Sequence, residues 1–177
     1  NWENNILIIL SVMDVLKLNL KKNYKKLENL RPLPGRGEIL QIKKKAKKFF
    51  LIDESYNSNP NSLKMAILDL NKEKYKLKGK ILVIGDMLEL GKFSKEMHKE
   101  IVPIISNVQP KLVITVGEFS RIISESLPSN IPSFHFKKVF HIYNKLLSKI
   151  DNNDIVMVKG SNSTKLSMLI KFLSQGM

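Results

Sequence analysis

The chain has 177 residues, 43% of them hydrophobic and 26% charged, with no cysteine. That composition suits a globular protein with a real core, and it excludes a disordered tail, a disulfide scaffold and any thiolate metal site. Lys and Arg number 30 against 16 Asp and Glu, formally +14, but the arginines are only Arg31, Arg36 and Arg121, so the excess reads first as a lysine-rich solvated surface. At the start, Ile6, Ile9, Leu10, Met13 and Leu16 recur at helical spacing over residues 3–17. The apolar run there, Ile6 to Met13, is interrupted by Ser11 and stopped by Asp14, far short of the ~20 residues of a membrane span. A second helix is predicted from Asn19 to Leu30. Arg31-Pro32-Leu33-Pro34-Gly35-Arg36-Gly37 then breaks regular structure, because two prolines and two glycines cannot sit inside one element. That break places a boundary at residue 36, giving segments 1–36 and 37–177.

Beyond it, short strands alternate with amphipathic helices. Strands are predicted at 38–43, 49–52, 80–84, 112–116, 133–136 and 155–158. The runs Ile81-Leu82-Val83-Ile84, Leu112-Val113-Ile114-Thr115-Val116 and Ile155-Val156-Met157-Val158 are continuously apolar, as strands buried on both faces of a parallel sheet are. Leu63, Ala66, Ile67 and Leu70 mark one helix. Tyr143, Leu146, Leu147 and Ile150 mark another, and Leu166, Leu169, Ile170 and Leu173 a last one. A helix over Ser94 to Ser106 contains Pro103, which should kink or shorten it. The pattern predicts an α/β fold: a Rossmann-like, mostly parallel open sheet of about six strands with flanking helices. The lysine run 43–48 before Phe49 reads as a hairpin turn.

Ligands of such sheets bind beyond the carboxyl ends of the strands, and three loops there are polar. Asp53-Glu54-Ser55-Tyr56-Asn57-Ser58-Asn59-Pro60 ends in an N-cap followed by proline at the first helical position. It reads either as a hydrogen-bonding site on a helix start or as a capped turn. Gly85-Asp86-Met87-Leu88-Glu89-Leu90-Gly91 brackets two acids with glycines, and could equally be a packing loop. Lys159-Gly160-Ser161-Asn162-Ser163-Thr164 opens the last helix, where Lys159 and backbone N–H groups could hold a carboxylate or phosphate. No Gly-x-x-x-x-Gly-Lys-Ser/Thr loop and no Gly-x-Gly-x-x-Gly occurs. His98, His135 and His141 show no metal-binding spacing, so no metal site is expected.

Taken together, these loops resemble the Mur ligases that add D-alanyl-D-alanine. Leu51-Ile52-Asp53-Glu54-Ser55-Tyr56-Asn57-Ser58-Asn59-Pro60 is similar to that subgroup's Asp-Asp/Glu-Ser-Tyr-Asn-Ala-Asn-Pro, with Ser58 where alanine is usual. Gly85 to Gly91 matches its Gly-Asp-Met-Leu-Glu-Leu-Gly. Lys159-Gly160-Ser161 matches its Lys-Gly-Ser, and Pro34-Gly35-Arg36 its Pro-Gly-Arg. Asn5 stands at the asparagine of its His-x-x-x-Asn, with Asn1 in place of the histidine.

The resemblance implies an ATP-dependent ligase of peptidoglycan precursor synthesis, acting in the cytoplasm as a monomer. Its substrates would be UDP-N-acetylmuramoyl-tripeptide and D-alanyl-D-alanine. It implies that residues 1–36 are the last helices of the central ATP-binding domain plus a hinge, and that 37–177 form the acceptor-binding domain. ATP and Mg2+ would be held mainly by the central domain, so no catalytic group and no cofactor are expected within this chain alone. Asn5 would face adenine, and Arg36 with Asp53 or Glu54 would contact ATP at its ribose. Asn57, Asn59, Lys159 and Ser161 would serve the acceptor. The competing expectation is a non-catalytic module that binds nucleic acid or another polyanion through its lysines. Against it stand Asp53, Glu54, Asp86 and Glu89 at the sheet's carboxyl edge, which would repel a phosphate backbone.

Overall fold

Lys44 and Lys47 face each other across a two-residue turn, and Lys45 and Ala46 between them both take positive φ, 47° and 61°. Two-residue hairpin loops require such backbone because its twist matches that of the strands. The turn joins β1 (Glu38–Lys44) to β2 (Lys47–Glu54) in the antiparallel pair of the sheet. Every other pairing is parallel, among β2, β3 (Lys80–Gly85), β4 (Leu112–Val116), β5 (Ser133–Phe136) and β6 (Ile155–Lys159). The strand order is β1-β2-β6-β3-β4-β5. The chain returns from the far edge to insert β6 between β2 and β3, which is why β6 is buried at every position.

The computed structural model describes residues 2–19, 22, 31–72, 75 and 78–175. It divides into two compact units, Asn1–Pro32 and Leu33–Met177. In the first, α1 (Trp2–Val15) is apolar around much of its circumference, with Leu7, Ile8, Val12 and Val15 exposed. The helix predicted from Asn19 to Leu30 lies, apart from Asn19 and Lys22, outside the described residues.

In the second unit, alternate residues of the buried strands feed two apolar layers. On one face Ile81, Val83, Val156 and Val158 pack against α6 (Ile142–Lys149) and α7 (Leu166–Ser174). On the other, Leu82, Ile84, Ile155 and Met157 meet α2 (Pro60–Asp69), α4 (Val102–Val108) and Ile123 of α5 (Arg121–Ser126). The result is the expected six-stranded α/β sandwich. The helix predicted over 94–106 is two: α3 (Ser94–Lys99), then α4 with Pro103 in its first turn, where the missing N–H costs nothing. The short α5 has no counterpart among the predicted helices.

The lysine hairpin has a packing role. Lys47 Nζ donates to the carbonyls of Leu147 (2.9 Å) and Ile150 (2.6 Å), and Lys44 Nζ to those of Phe172 and Gln175. Both lysines therefore close the C-terminal ends of helices α6 and α7, where free carbonyls and the dipole favour a cation.

Candidate functional site

The five parallel strands end along one edge, and Glu54 pairs there with Lys159, and Gly85 with Val116. Two groups of loops are built on that edge. The first begins at Leu33-Pro34-Gly35-Arg36, where the Arg36 N–H donates to the Leu33 carbonyl at 3.0 Å and Gly35 has φ +78°. Proline then glycine at the two centres is the pattern of a type II turn. A Cβ on Gly35 would lie 2.8 Å from Cβ of Tyr56, so glycine is also required for close approach. Asp53 clamps this turn to the sheet. Its Oδ2 accepts from the Gly35 N–H and its Oδ1 from the Ser55 N–H, each at 3.0 Å. The Arg36 guanidinium lies 4.3 Å from the centre of the half-exposed Tyr56 ring.

Glu54 has different surroundings. Its Oε2 meets Nζ of Lys159 at 3.2 Å, and the same ammonium donates to the Asn57 carbonyl at 3.1 Å. Lys159 is only 2% exposed whereas the Glu54 side chain keeps 28% of its surface. Asn59 caps α2: its Oδ1 accepts from the Ser62 N–H (2.8 Å), while Ser62 Oγ accepts from the Asn59 N–H (3.1 Å). This reciprocal capping box satisfies the helix start locally.

The second group surrounds a cleft of about 530 Å³ beyond β3, β4 and β6. Asp86 and Leu88 form one wall, Lys137, Lys138 and Phe140 another, and Thr164 with Lys165 a third. Asp86 is 6% exposed, and its carboxylate accepts from three successive backbone N–H groups, Glu118 (2.8 Å), Phe119 (3.1 Å) and Ser120 (2.7 Å). Ser161 ties the β6 loop to the same strand end: its N–H donates to the Asp86 carbonyl at 3.0 Å, and its Oγ accepts from the Leu88 N–H at 2.9 Å. At the start of α7, Lys165 takes φ +56° and no side chain caps the helix. The cleft thus combines three exposed lysines with an uncapped helix N-terminus, a setting that favours an anion.

The structure brings Arg36, Asp53, Glu54, Asn57 and Lys159 together in the first group, with Asn59 one residue before α2. Ser161 belongs to the second group. Asn5 lies exposed on α1 in the first unit. Among the described residues, no three His, Asp or Glu side chains gather as a metal site, and no helix is long and apolar enough to cross a membrane. Ser163 and Thr164 belong to the third polar loop read from the sequence, but sequence reasoning missed Lys137, Lys138 and Lys165 as cleft residues. The signal available was positional: Lys137 and Lys138 directly follow the carboxyl end of β5.

An open, mostly parallel sheet with helices on both faces and a lysine-lined cleft at its carboxyl edge defines an α/β domain of the doubly wound class. The chain belongs to the Mur ligase family: residues 35–162 match the family described as "Mur ligase, glutamate ligase domain". Among its relatives is the UDP-N-acetylmuramoyl-tripeptide–D-alanyl-D-alanine ligase of Rickettsia prowazekii, 28% identical over 97% of this chain and 37% of the relative. The ligase of the same name from Bacillus subtilis is 32% identical over 82% of this chain and 32% of the relative. The chain therefore spans about a third of the length of these curated relatives. The MurF ligase of Thermotoga maritima in complex with ADP shares the fold, with TM-score 0.75 and 23% identity over 93% of this chain and 35% of that one.

Proposed function

We propose that this chain is the acceptor-binding part of an ATP-dependent ligase that joins D-alanyl-D-alanine to UDP-N-acetylmuramoyl-tripeptide. The observation that carries the reading is the cleft. The dipeptide has one carboxylate, one amine and a small apolar body. Lys137, Lys138, Lys165 and the open start of α7 suit the carboxylate, and Leu88, Phe140 and Met168 suit the methyl groups. In the reaction, the γ-phosphoryl group of ATP goes to the tripeptide carboxylate. The dipeptide amine then attacks the acyl carbon, the new C–N bond forms, and the C–O bond to phosphate breaks with loss of the amine proton. This part of the enzyme would hold the amine near the carbonyl and close water out, which is catalysis by positioning.

On the nucleotide side, Arg36 and Glu54 are the residues proposed for the ribose, because both oxygens of Asp53 already hold the turn. Lys159 acts through Glu54 and Asn57. The donors proposed for the acceptor are the side-chain Nδ2 groups of Asn57 and Asn59, in the first group of loops, and the Ser161 hydroxyl, beside the cleft. Residues 1–36 are assigned to the end of a central ATP-binding domain plus hinge, with Asn5 facing adenine, and 37–177 to the acceptor domain. Mg2+ and the phosphates would be held mainly outside this chain, whose sequence has no phosphate loop. The enzyme would work as a cytoplasmic monomer in peptidoglycan precursor synthesis.

Titration of the 15N-labelled chain with D-alanyl-D-alanine tests the reading. Shifts of the Leu88, Gly117, Thr164 and Lys165 amides are expected, and weaker ones with the C-terminal amide of the dipeptide. Equal shifts with both, or none, would refute a carboxylate site. The chain alone should release no phosphate from ATP, since its sequence carries no phosphate loop to cradle the β- and γ-phosphates. Release above the buffer rate by the pure chain would contradict that assignment.

A further inference from the structure

His98 is the one histidine with no exposed surface, and both ring nitrogens are engaged. Nδ1 lies 2.6 Å from the Ser94 carbonyl, and Nε2 lies 2.9 Å from the Met87 amide nitrogen. A carbonyl only accepts and an amide N–H only donates. Nδ1 therefore carries the proton and Nε2 the lone pair, so the neutral ring in a single tautomer satisfies both contacts. Met87 stands between Asp86 and Leu88, the two residues of the β3 loop that line the cleft. Each of those is gripped from elsewhere, Asp86 by the 118–120 amides and Leu88 by Ser161. His98 provides the remaining grip, from the helix behind the loop.

We propose that His98 is a positioning residue for the cleft: its unprotonated Nε2 holds the Met87 amide and so sets the wall made by Asp86 and Leu88. The inference rests on the reading of the cleft as the dipeptide site, but its first consequence, the fixed loop, is measurable without ligand. A proton on Nε2 would set two donors against each other and release the loop. The charged group acting on the ring from the β3 loop is Asp86. The β4 loop presents the Phe119 ring at 6.1 Å, and α5 presents Arg121 and Glu125, exposed and paired with each other. On α3 itself Lys95, Glu96 and Lys99 face solvent. Burial lowers the pKa of His98, against the smaller raising effects of the Ser94 carbonyl and Asp86.

The test uses the full 177-residue chain, its His98→Gln variant, which keeps one acceptor and one donor, and His98→Leu, which keeps neither. Amide exchange at Met87 and Leu88 is read without ligand, and affinity for D-alanyl-D-alanine from pH 7.5 downward until the His98 ring itself titrates. In the parent chain, exchange should quicken and affinity fall about tenfold, the worth of one such hydrogen bond, as the ring is protonated. His98→Gln should bind as the parent does at pH 7.5 and stay flat with pH, and His98→Leu should bind about tenfold more weakly throughout. A His98→Leu chain with a lower melting temperature but unchanged Leu88 exchange and dipeptide affinity would overturn the proposal, leaving a core histidine. Should His98→Leu not fold, a parent and a His98→Gln chain with the same pH profile would overturn it equally. If no chain binds the dipeptide at any pH, the proposed function fails, and the exchange data decide the role of His98 alone.

Discussion

Asp53 and Glu54 are adjacent carboxylates with opposite surroundings, and that contrast separates their predicted phenotypes. Asp53→Ala leaves the Gly35 and Ser55 N–H groups without acceptors, at a cost of about 2–4 kcal/mol. The expected result is a lower melting temperature of the chain, with a smaller loss in Asp53→Asn. Glu54→Gln keeps an acceptor for Lys159 but leaves that buried ammonium without its carboxylate, so it too should lower the melting temperature. In a complete ligase it should raise KM for ATP about tenfold, the worth of one charge-assisted bond to the ribose. Finding the ATP defect in a folded Asp53 variant and not in Glu54→Gln would reverse the assignment. Ser58 is 3% exposed, and its hydroxyl has no hydrogen-bond partner among the described residues. Ser58→Ala should therefore stabilise the chain by about 1 kcal/mol, visible as a higher urea midpoint. At this scale the sequence showed which residues were polar and where, but not which oxygen was already occupied. The division of labour between Asp53 and Glu54 depends on a turn 18 residues upstream of Asp53.

The hairpin shows the same split between pattern and placement at the scale of elements. Its strands and its turn were legible from lysines flanked by apolar alternation. Its helix-capping role was not, because the carbonyls it reaches lie about 100 residues and more away. Ala46 sits at φ +61°, which glycine adopts without the Cβ clash that costs an L-residue roughly 1–2 kcal/mol. Ala46→Gly should raise the melting temperature by about 2–4 °C, reflecting a net gain near 1 kcal/mol after the entropy of glycine is counted. An unchanged or lower melting temperature would show that the turn does not hold this backbone in solution. Helix α5 escaped prediction for a related reason. It has six residues and no side-chain cap of its own, and the acceptor for the N–H groups before it is Asp86, more than 30 residues earlier in the chain. A helix whose cap comes from another loop leaves no local N-terminal signature.

For the whole molecule, His98 and Lys111 contribute to the pH dependence of stability from opposite sides. The folded-state pKa of His98 lies below its ordinary 6.5, chiefly through burial. The unfolded chain then binds protons more readily in the window beneath 6.5, so this contribution is complete above it and is lost as pH falls towards the folded value. Burial also pulls down the pKa of Lys111, but its hydrogen bonds to Asp151 and Asp154 outweigh that, and the net shift is upward from 10.5. Its contribution is complete below 10.5 and is lost as pH rises through the folded value. Urea midpoints measured across pH should show a plateau between the two, with an acid limb that His98→Gln reduces and to which His135, its pKa also lowered chiefly by burial, adds. An acid limb unchanged in that variant would assign it to His135 and the carboxylates instead.

The amino-acid sequence by itself determined the six strands, the helices α1, α2, α6 and α7, the three polar loops and, through those loops, the family. Each of these is encoded within a few residues, by period, by turn chemistry or by a contiguous motif. Only the tertiary structure decided that β6 enters between β2 and β3, that Lys159 is buried against Glu54, and that lysines from one further loop, Lys137 and Lys138, line the cleft beyond β3, β4 and β6. Those facts depend on which strand ends become neighbours across a sheet. Hydrogen-bond pairing between segments far apart in the chain settles that, and no local pattern records it.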